Sequence, residues 1–209
     1  MTFQSLEYLL FLPVVFILYW TVCRGSKTLQ NGLIVAASLV FYGWWDWRFL
    51  GLLLITAFST FFAGMWIGRT DDEKKRKWIN IGAIVLNIGI LFFFKYFNFF
   101  VQSFADAFSL FGAEMNVHTL KILLPVGISF YTFSALSYSI DVYQRKVEPT
   151  RDLLAYLAYV TFFPSILSGP ISRAQKQLPQ YFKKRVFDYD KAVSACKLMI
   201  WGGIKTLFS

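Results

Sequence analysis

Polar side chains at helical spacing inside an apolar segment are the strongest chemical signal in this chain. Residues 123–143 read LLPVGISFYTFSALSYSIDVY. At about 100° per residue, one narrow helix face collects Gly127, Tyr131, Ser134, Tyr138 and Asp141. A charge at the centre of a bilayer costs about 2.5–3.5 kcal/mol, so hydroxyls and a carboxylate on a membrane helix need polar neighbours. The stripe therefore predicts a face turned toward other helices or a wet cavity.

A second group of candidate residues interrupts the next apolar segment, residues 153–169. Its sequence TFFPSILSGP contains Pro164 and the pair Gly169–Pro170, and proline removes a backbone donor and disfavours helix at the preceding residue. Interrupted backbone at membrane depth is tolerated only where it is buried in protein or lines a cavity. We therefore expect a re-entrant or strongly kinked element here.

Long apolar helices must position both groups. The chain has 209 residues and only 16% charged residues, against about 25% in soluble domains, and its mean hydropathy is +0.51. These values predict one all-α polytopic membrane domain over residues 1–209, with about six transmembrane helices plus the interrupted element. The predicted segments are residues 6–22, 29–45, 49–68, 79–100, 119–143, 153–169 and 192–208.

The distribution of positive charge predicts the orientation. The formal net charge is +9, and the lysines and arginines follow the first, third and fifth segments. Basic loops remain in the cytoplasm, which places the N-terminus on the outer side of the membrane. Six further cations follow residue 169, so a re-entrant segment 153–169 keeps both of its flanks cytoplasmic. Anionic lipid headgroups explain this charge better than nucleic acid, which is not expected as a partner.

Few residues have the types needed for catalysis or metal binding. The chain has one histidine, His118, and two cysteines, Cys23 and Cys196. We find no Ser–His–Asp set, phosphate-binding loop or metal-ligand spacing, so neither a metal site nor a bound cofactor is expected. His118 lies in the polar stretch GAEMNVHTLK and is expected to be a solvated surface residue.

Two motifs carry a family resemblance. They are LPVGISFYTFSALSYSIDVYQRK, residues 124–146, and FFPSILSGPISRA, residues 162–174. Together they resemble the N-terminal half of the membrane-bound O-acyltransferases, in the bacterial branch that includes the alginate O-acetyltransferase membrane subunit. FYGWWDW near residue 45 and FKYFNFF near residue 97 fit the same pattern.

The resemblance implies an O-acyltransferase that transfers an acyl group to hydroxyls of an extracytoplasmic polysaccharide such as alginate. Acetyl is the leading candidate for the acyl group. It implies an acyl-CoA or acyl carrier protein thioester as the donor substrate on the cytoplasmic side. It also implies periplasmic polysaccharide acetylation proteins as partners and a location in the bacterial inner membrane. The family's catalytic histidine belongs to the C-terminal half, and the surroundings of His118 do not match its motif. We therefore expect a fragment or truncated product that supplies no catalytic residue and is inactive alone.

For both groups of residues the resemblance suggests a passage for donor or acceptor. The first group has a plainer alternative, interhelical hydrogen bonds worth about 0.6 kcal/mol each, and Asp141 has a further one, an ion pair with Arg145 or Lys146. In the second group, Arg173 either meets donor phosphates or anchors the chain as a positive-inside residue. The two groups are Tyr131, Ser134, Tyr138 and Asp141, and Pro164, Gly169, Pro170 and Arg173.

Three further features have structural interpretations. Lys95 is expected to extend to the headgroups rather than carry a buried charge, and Asn87 to make an interhelical hydrogen bond. The basic run 183–185 is expected to lie on the inner leaflet. Two functions from other classes stay open, a transporter or channel subunit and a non-catalytic membrane scaffold. An inverted repeat would favour the transporter, and none is visible.

Overall fold

The computed structural model describes residues 6–109, 127–166 and 173–207, and within these ranges the chain is helical with no strands. A short 3-10 turn, Cys23–Gly25, joins the first two helices. The helices are α1 (Leu6–Thr21), α2 (Lys27–Asp46), α3 (Arg48–Arg69), α4 (Glu73–Ser109), α5 (Ile128–Tyr143), α6 (Leu153–Val160), α7 (Phe163–Ile166), α8 (Ala174–Phe182) and α9 (Tyr189–Leu207).

The ends of the central helix α5 are set by two residues in the left-handed region. Gly127, with φ of 75°, precedes the helix, as glycine can without a Cβ clash. At the other end Arg145 has φ of 59°. The Lys146 N–H then donates to the Asp141 carbonyl at 2.8 Å and the Arg145 N–H to that of Val142 at 3.1 Å. This is the Schellman arrangement, which stops a helix and satisfies its last carbonyls.

The predicted segments agree with α1, α2 and α3 within two residues, whereas α4 extends beyond residues 79–100 at both ends. Residues 119–126 of the fifth segment lie outside the described residues. Among the described helices, two are long and apolar enough to cross a membrane, Arg48–Arg69 and Glu73–Phe97. These two helices indicate a membrane protein, and the remaining predicted crossings, including residues 192–208, stay predictions.

Helix α5 lies at the centre of the bundle and packs against α3, α4, α6 and α8. It runs parallel to α3, since Gly64 lies against Tyr138 and Gly68 against Pro149 just beyond the helix end. The side chains of Tyr131 and Tyr138 are almost completely buried. The predicted polar stripe therefore faces other helices, as expected.

The predicted interruption of the sixth segment is present. Helix α6 ends at Val160, the chain breaks at Thr161 and Phe162, and α7 follows. The break precedes Pro164, which occupies the first turn of α7, where a missing N–H costs little. At 1.5 Å per residue α6 is only about 12 Å long, too short to cross a hydrocarbon core of about 30 Å. Gly169 and Pro170 lie outside the described residues.

Candidate functional site at the centre of the bundle

The described part of the interrupted element, residues 151–166 and 173, has both of its flanks attached to α5; we call this part the hairpin. On its N-terminal side the Thr150 N–H donates to the Tyr138 hydroxyl at 3.0 Å. On its C-terminal side the Ala174 N–H donates to Ser137 Oγ at 3.2 Å. The two acceptors are side chains of consecutive residues, so both flanks of the hairpin are attached to one turn of α5.

The hairpin reaches into the bundle rather than lying on its surface. The Phe163 N–H donates to Ser38 Oγ at 3.2 Å, and Ser38 lies midway along α2. Phe163 also packs edge-on against Phe11 of α1, with ring centroids 5.5 Å apart. In the described part of the chain, Phe163 thus lies at the middle of α2, whereas Thr150 and Ala174 both lie at α5.

Tyr138 is fixed by close packing against Gly64 and Tyr156. A Cβ added at Gly64 would lie 2.4 Å from Tyr138 Cε1, so the ring needs glycine there. Its centroid is 4.7 Å from that of Tyr156. The arrangement supports the plainer alternative for Tyr138, a structural hydrogen bond with tight interhelical packing.

Two tyrosines of α6 tie the hairpin to its neighbours. The Tyr159 hydroxyl donates to the Ser134 carbonyl at 2.9 Å and lies 3.0 Å from Ser137 Oγ. The Tyr156 hydroxyl lies 2.7 Å from Thr60 Oγ1 on α3. A buried hydroxyl without a partner costs about 1–3 kcal/mol, so these contacts hold the hairpin in one position.

Asp141 connects α5 to α8, which was not predicted. Its carboxylate is buried and Oδ2 accepts from the Gln175 N–H at 3.4 Å. This N–H lies in the first turn of α8, where negative charge is favourable. Asp141 therefore positions the helix that follows the hairpin.

The predicted ion pair of Asp141 with Arg145 or Lys146 is wrong for the described residues. The Arg145 guanidinium lies 3.4 Å from Glu73 Oε1 instead, and Lys146 contributes its backbone N–H to the Asp141 carbonyl. The physical reason is the left-handed turn at Arg145. It ends the helix at Tyr143, so the i, i+4 spacing on which the prediction depended is lost.

The remaining predicted site residues are distributed between core and surface. The Tyr131 ring packs edge-on against Tyr42, with centroids 6.1 Å apart. Ser134 and Pro164 are half-buried, and Arg173 is exposed just before α8. The structure thus brings Tyr138 and Asp141 to the base of the hairpin and leaves Arg173 at the surface.

Arg76 is a buried residue of this region that the sequence analysis missed. Its guanidinium donates to the carbonyls of Tyr143 at 3.0 Å and Val142 at 3.3 Å, and cations at a helix C-terminus are favourable. Arg76 stands in a run of basic residues, EKKRK. Only the spacing of buried positions along α4, at Arg76, Asn80 and Asn87, distinguishes it.

Two other predictions concern α4. Asn87 Nδ2 donates to Ser59 Oγ on α3 at 3.0 Å, so the predicted interhelical hydrogen bond is confirmed. Lys95 is exposed and its Nζ lies 5.7 Å from the centroid of the Tyr96 ring. Exposure of Lys95 fits extension toward headgroups and does not fit a buried charge.

The geometry defines the class of protein. It is a helical membrane protein built around a hydrogen-bonded hairpin whose two flanks are attached to one helix. Within the described ranges, no group of three or more histidine, cysteine, aspartate or glutamate residues is placed to hold a metal ion. The site consists of hydroxyls, one carboxylate and backbone groups.

Comparison with known sequences identifies related proteins. Over 211 aligned residues the chain is 37% identical to the probable alginate O-acetylase AlgI of Azotobacter vinelandii and 36% identical to that of Pseudomonas aeruginosa. Each alignment covers 100% of this chain, but 41% and 39% of those proteins. A peptidoglycan O-acetyltransferase of Helicobacter pylori is 29% identical, with 83% of this chain and 37% of that protein aligned.

The chain therefore belongs with the alginate O-acetylases, and the resemblance drawn from its motifs is confirmed. It spans about 40% of the length of the curated relatives it matches. No family model matches the chain, and no solved structure does.

Proposed function

We propose that this chain forms the N-terminal part of an O-acetyltransferase that modifies hydroxyl groups of an extracytoplasmic polysaccharide such as alginate. The observation that carries the proposal is the alignment of every part of the chain with proteins named alginate O-acetylases. The name of the peptidoglycan O-acetyltransferase relative points to the same reaction class.

The proposed reaction is attack of an acceptor hydroxyl on the carbonyl of an acetyl thioester. A new C–O bond forms, the C–S bond breaks, a general base outside these 209 residues takes the hydroxyl proton, and the donor sulfur leaves as the free thiol with that proton. An acyl-CoA or acyl carrier protein supplies the thioester from the cytoplasm. The chain's own contribution is to hold donor and acceptor in line through a fixed hairpin.

Within this proposal the eight candidate residues have unequal roles. Tyr138 and Asp141 hold the two flanks of the hairpin through Thr150 and Gln175. The others stay candidates for the walls of the passage, namely Tyr131, Ser134, Pro164, Gly169, Pro170 and Arg173.

We further propose a multi-pass inner-membrane location with the N-terminus outside. Contacts between loops that were predicted to be cytoplasmic support it. Lys27 lies 3.8 Å from Asp152 and Arg145 lies 3.4 Å from Glu73, so these loops meet at one end of the bundle. Single cysteines at positions 148 and 180 should both be labelled only from the cytoplasmic side, and labelling from opposite sides would contradict the re-entrant orientation.

A chimera tests the catalytic proposal. Residues 1–209 are joined to the remaining C-terminal part of the Azotobacter vinelandii relative and expressed in an alginate-producing strain that lacks its own O-acetylase. We expect O-acetyl esters on the alginate, measured by NMR. A chimera that inserts at the level of the relative itself but yields no esters would refute the proposal.

The 209 residues alone serve as the matched comparison. We expect no acetyl transfer from a thioester above background, and the same result for the His118→Ala variant. Transfer by the parent chain at a rate above that of His118→Ala would show that the base lies within this chain.

A further inference from the structure

The segment that follows α8, residues 183–188, is fastened to the start of α2; we call it the strap. Gln30 Nε2 donates to the Arg185 carbonyl at 2.9 Å, and the Arg185 N–H donates to Gln30 Oε1 at 3.0 Å. Asn31 Nδ2 donates to the Tyr181 carbonyl at 2.9 Å, and the Arg185 guanidinium donates to Asn31 Oδ1. Gln30 and Asn31 are completely buried, so the strap has a fixed position.

The Arg185 side chain is occupied by contacts within the protein. The centre of its guanidinium lies 5.1 Å from the Tyr181 ring centroid and 5.5 Å from that of Tyr19, distances typical of cation–π contacts. Burial raises the pKa of the Tyr181 hydroxyl, so this ring stays neutral beneath the arginine. Arg185 therefore faces inward, and the other cations of the region remain available.

Helix α8 and the strap present the other cations outward. Helix α8 buries Ala174, Leu178 and Tyr181 against the bundle. Residues 173–188 contain five lysines and arginines and one acid, Asp188, which pairs with Lys191 at 3.1 Å. The exposed cations of this surface are Arg173, Lys176, Lys183 and Lys184.

Apolar side chains share the same surface. Val186 is 73% exposed and Phe187 45% exposed. The Phe187 ring contacts Trp20 and Phe16 of α1, with centroid distances of 5.2 Å and 6.3 Å. The outer face of α1 is itself apolar and exposed, at Val14, Ile17 and Leu18. The cations therefore lie at the edge of a continuous apolar face.

From this arrangement we propose that the outer surface of α8 and the strap binds anionic phospholipid, with the cations on the headgroup phosphates and Val186 and Phe187 at the level of the upper acyl chains. A soluble acidic protein would engage the cations and has no reason to match an apolar face that continues along α1. A lipid surface accounts for both the exposed cations and the apolar side chains beside them. The proposal does not depend on acetyl transfer.

The test places a nitroxide on the strap of the protein in nanodiscs. The label is attached to Val186→Cys in a Cys196→Ser background, because Cys23 is buried and Cys196 is exposed. Accessibility to oxygen and to a water-soluble nickel chelate is measured in phosphatidylcholine with and without phosphatidylglycerol. We expect high oxygen and low nickel contact, with a deeper position when phosphatidylglycerol is present. A label at Glu148→Cys, in an exposed loop, should meet nickel in both membranes.

Charge variants separate the headgroup contact from general attraction to the membrane. Lys183→Gln with Lys184→Gln should abolish the phosphatidylglycerol-dependent deepening. The matched pair Lys74→Gln with Lys75→Gln, two exposed cations on α4, should retain it. Equal deepening in both double variants would overturn the proposal. Two other outcomes would also do so: nickel contact equal to that of the Glu148 label, and a label shielded from both reagents, which would show that protein covers the surface.

Discussion

Helices α1 and α5 have the same length, 16 residues, but differ in position: α1 has an exposed face, whereas α5 is central. Helix α1 is entirely apolar over residues 9–18 and exposes Leu10 and Ile17. Helix α5 carries serines, threonine, tyrosines and Asp141, yet it occupies the centre of the bundle. In lipid an apolar helix can remain outside, whereas polar groups find partners only within protein. The polar pattern, and not the hydrophobicity, thus indicates which helix is central.

The largest loss of stability should come from adding a side chain at Gly64, against which α5 packs. Gly64→Leu forces side-chain atoms into the Tyr138 ring, and overpacking of a dense core costs about 1–3 kcal/mol or more. The thermal unfolding midpoint in detergent should fall markedly. Gly82→Leu on α4, where an added Cβ meets nothing within 4 Å, should be tolerated. Equal losses in the two variants would show that α5 is not tightly packed at Gly64.

Loss of the cation at the end of α5 should have the next effect. Arg76→Gln removes a charged donor from the Val142 and Tyr143 carbonyls, and hydrogen bonds to charged groups contribute about 1.5–3 kcal/mol. The free energy of unfolding of Arg76→Gln in detergent should be lower than that of the parent protein by about this amount. Lys77→Gln, an exposed neighbour in the same basic run, should leave stability unchanged. An Arg76→Gln protein as stable as Lys77→Gln would mean that the helix end needs no cap.

A smaller effect is expected at the base of the hairpin. Tyr138→Phe keeps the ring on Gly64 and leaves the Thr150 N–H without its acceptor, at a cost of about 1–2 kcal/mol within the range for unsatisfied donors. Hydrogen exchange of the backbone at residues 150–152 should become faster. Tyr96→Phe, which keeps the ring near Lys95 at an exposed site, should change neither stability nor exchange. Unaltered protection in Tyr138→Phe would exclude a role for the hydroxyl in closing the hairpin.

Much of this arrangement follows from the sequence. The 3.6-residue spacing of Tyr131, Ser134 and Tyr138 predicts the face of α5 that is buried. Pro164 and the pair Gly169–Pro170 predict an interrupted helix, and the break lies just before Pro164, at Thr161 and Phe162. These features are local, because each depends on backbone conformation within a few residues.

Contacts between distant segments could not be predicted in the same way. The partner of Asp141 is a backbone N–H of Gln175, and backbone donors have no signature in the sequence. Gln30 and Arg185 are 155 residues apart, and neither type nor spacing links them. The cap formed by Arg76 was missed because positive charge in a loop has a sufficient explanation in membrane orientation.

The attachment of the hairpin's two flanks to Ser137 and Tyr138 has a mechanical consequence. A displacement of α5 along its axis would carry both flanks with it, because each flank is hydrogen-bonded to the same turn of that helix. The contacts of Phe163 with α2 and of Tyr156 with α3 oppose such a displacement. Helix α5 and the hairpin are therefore coupled and shift together as one body.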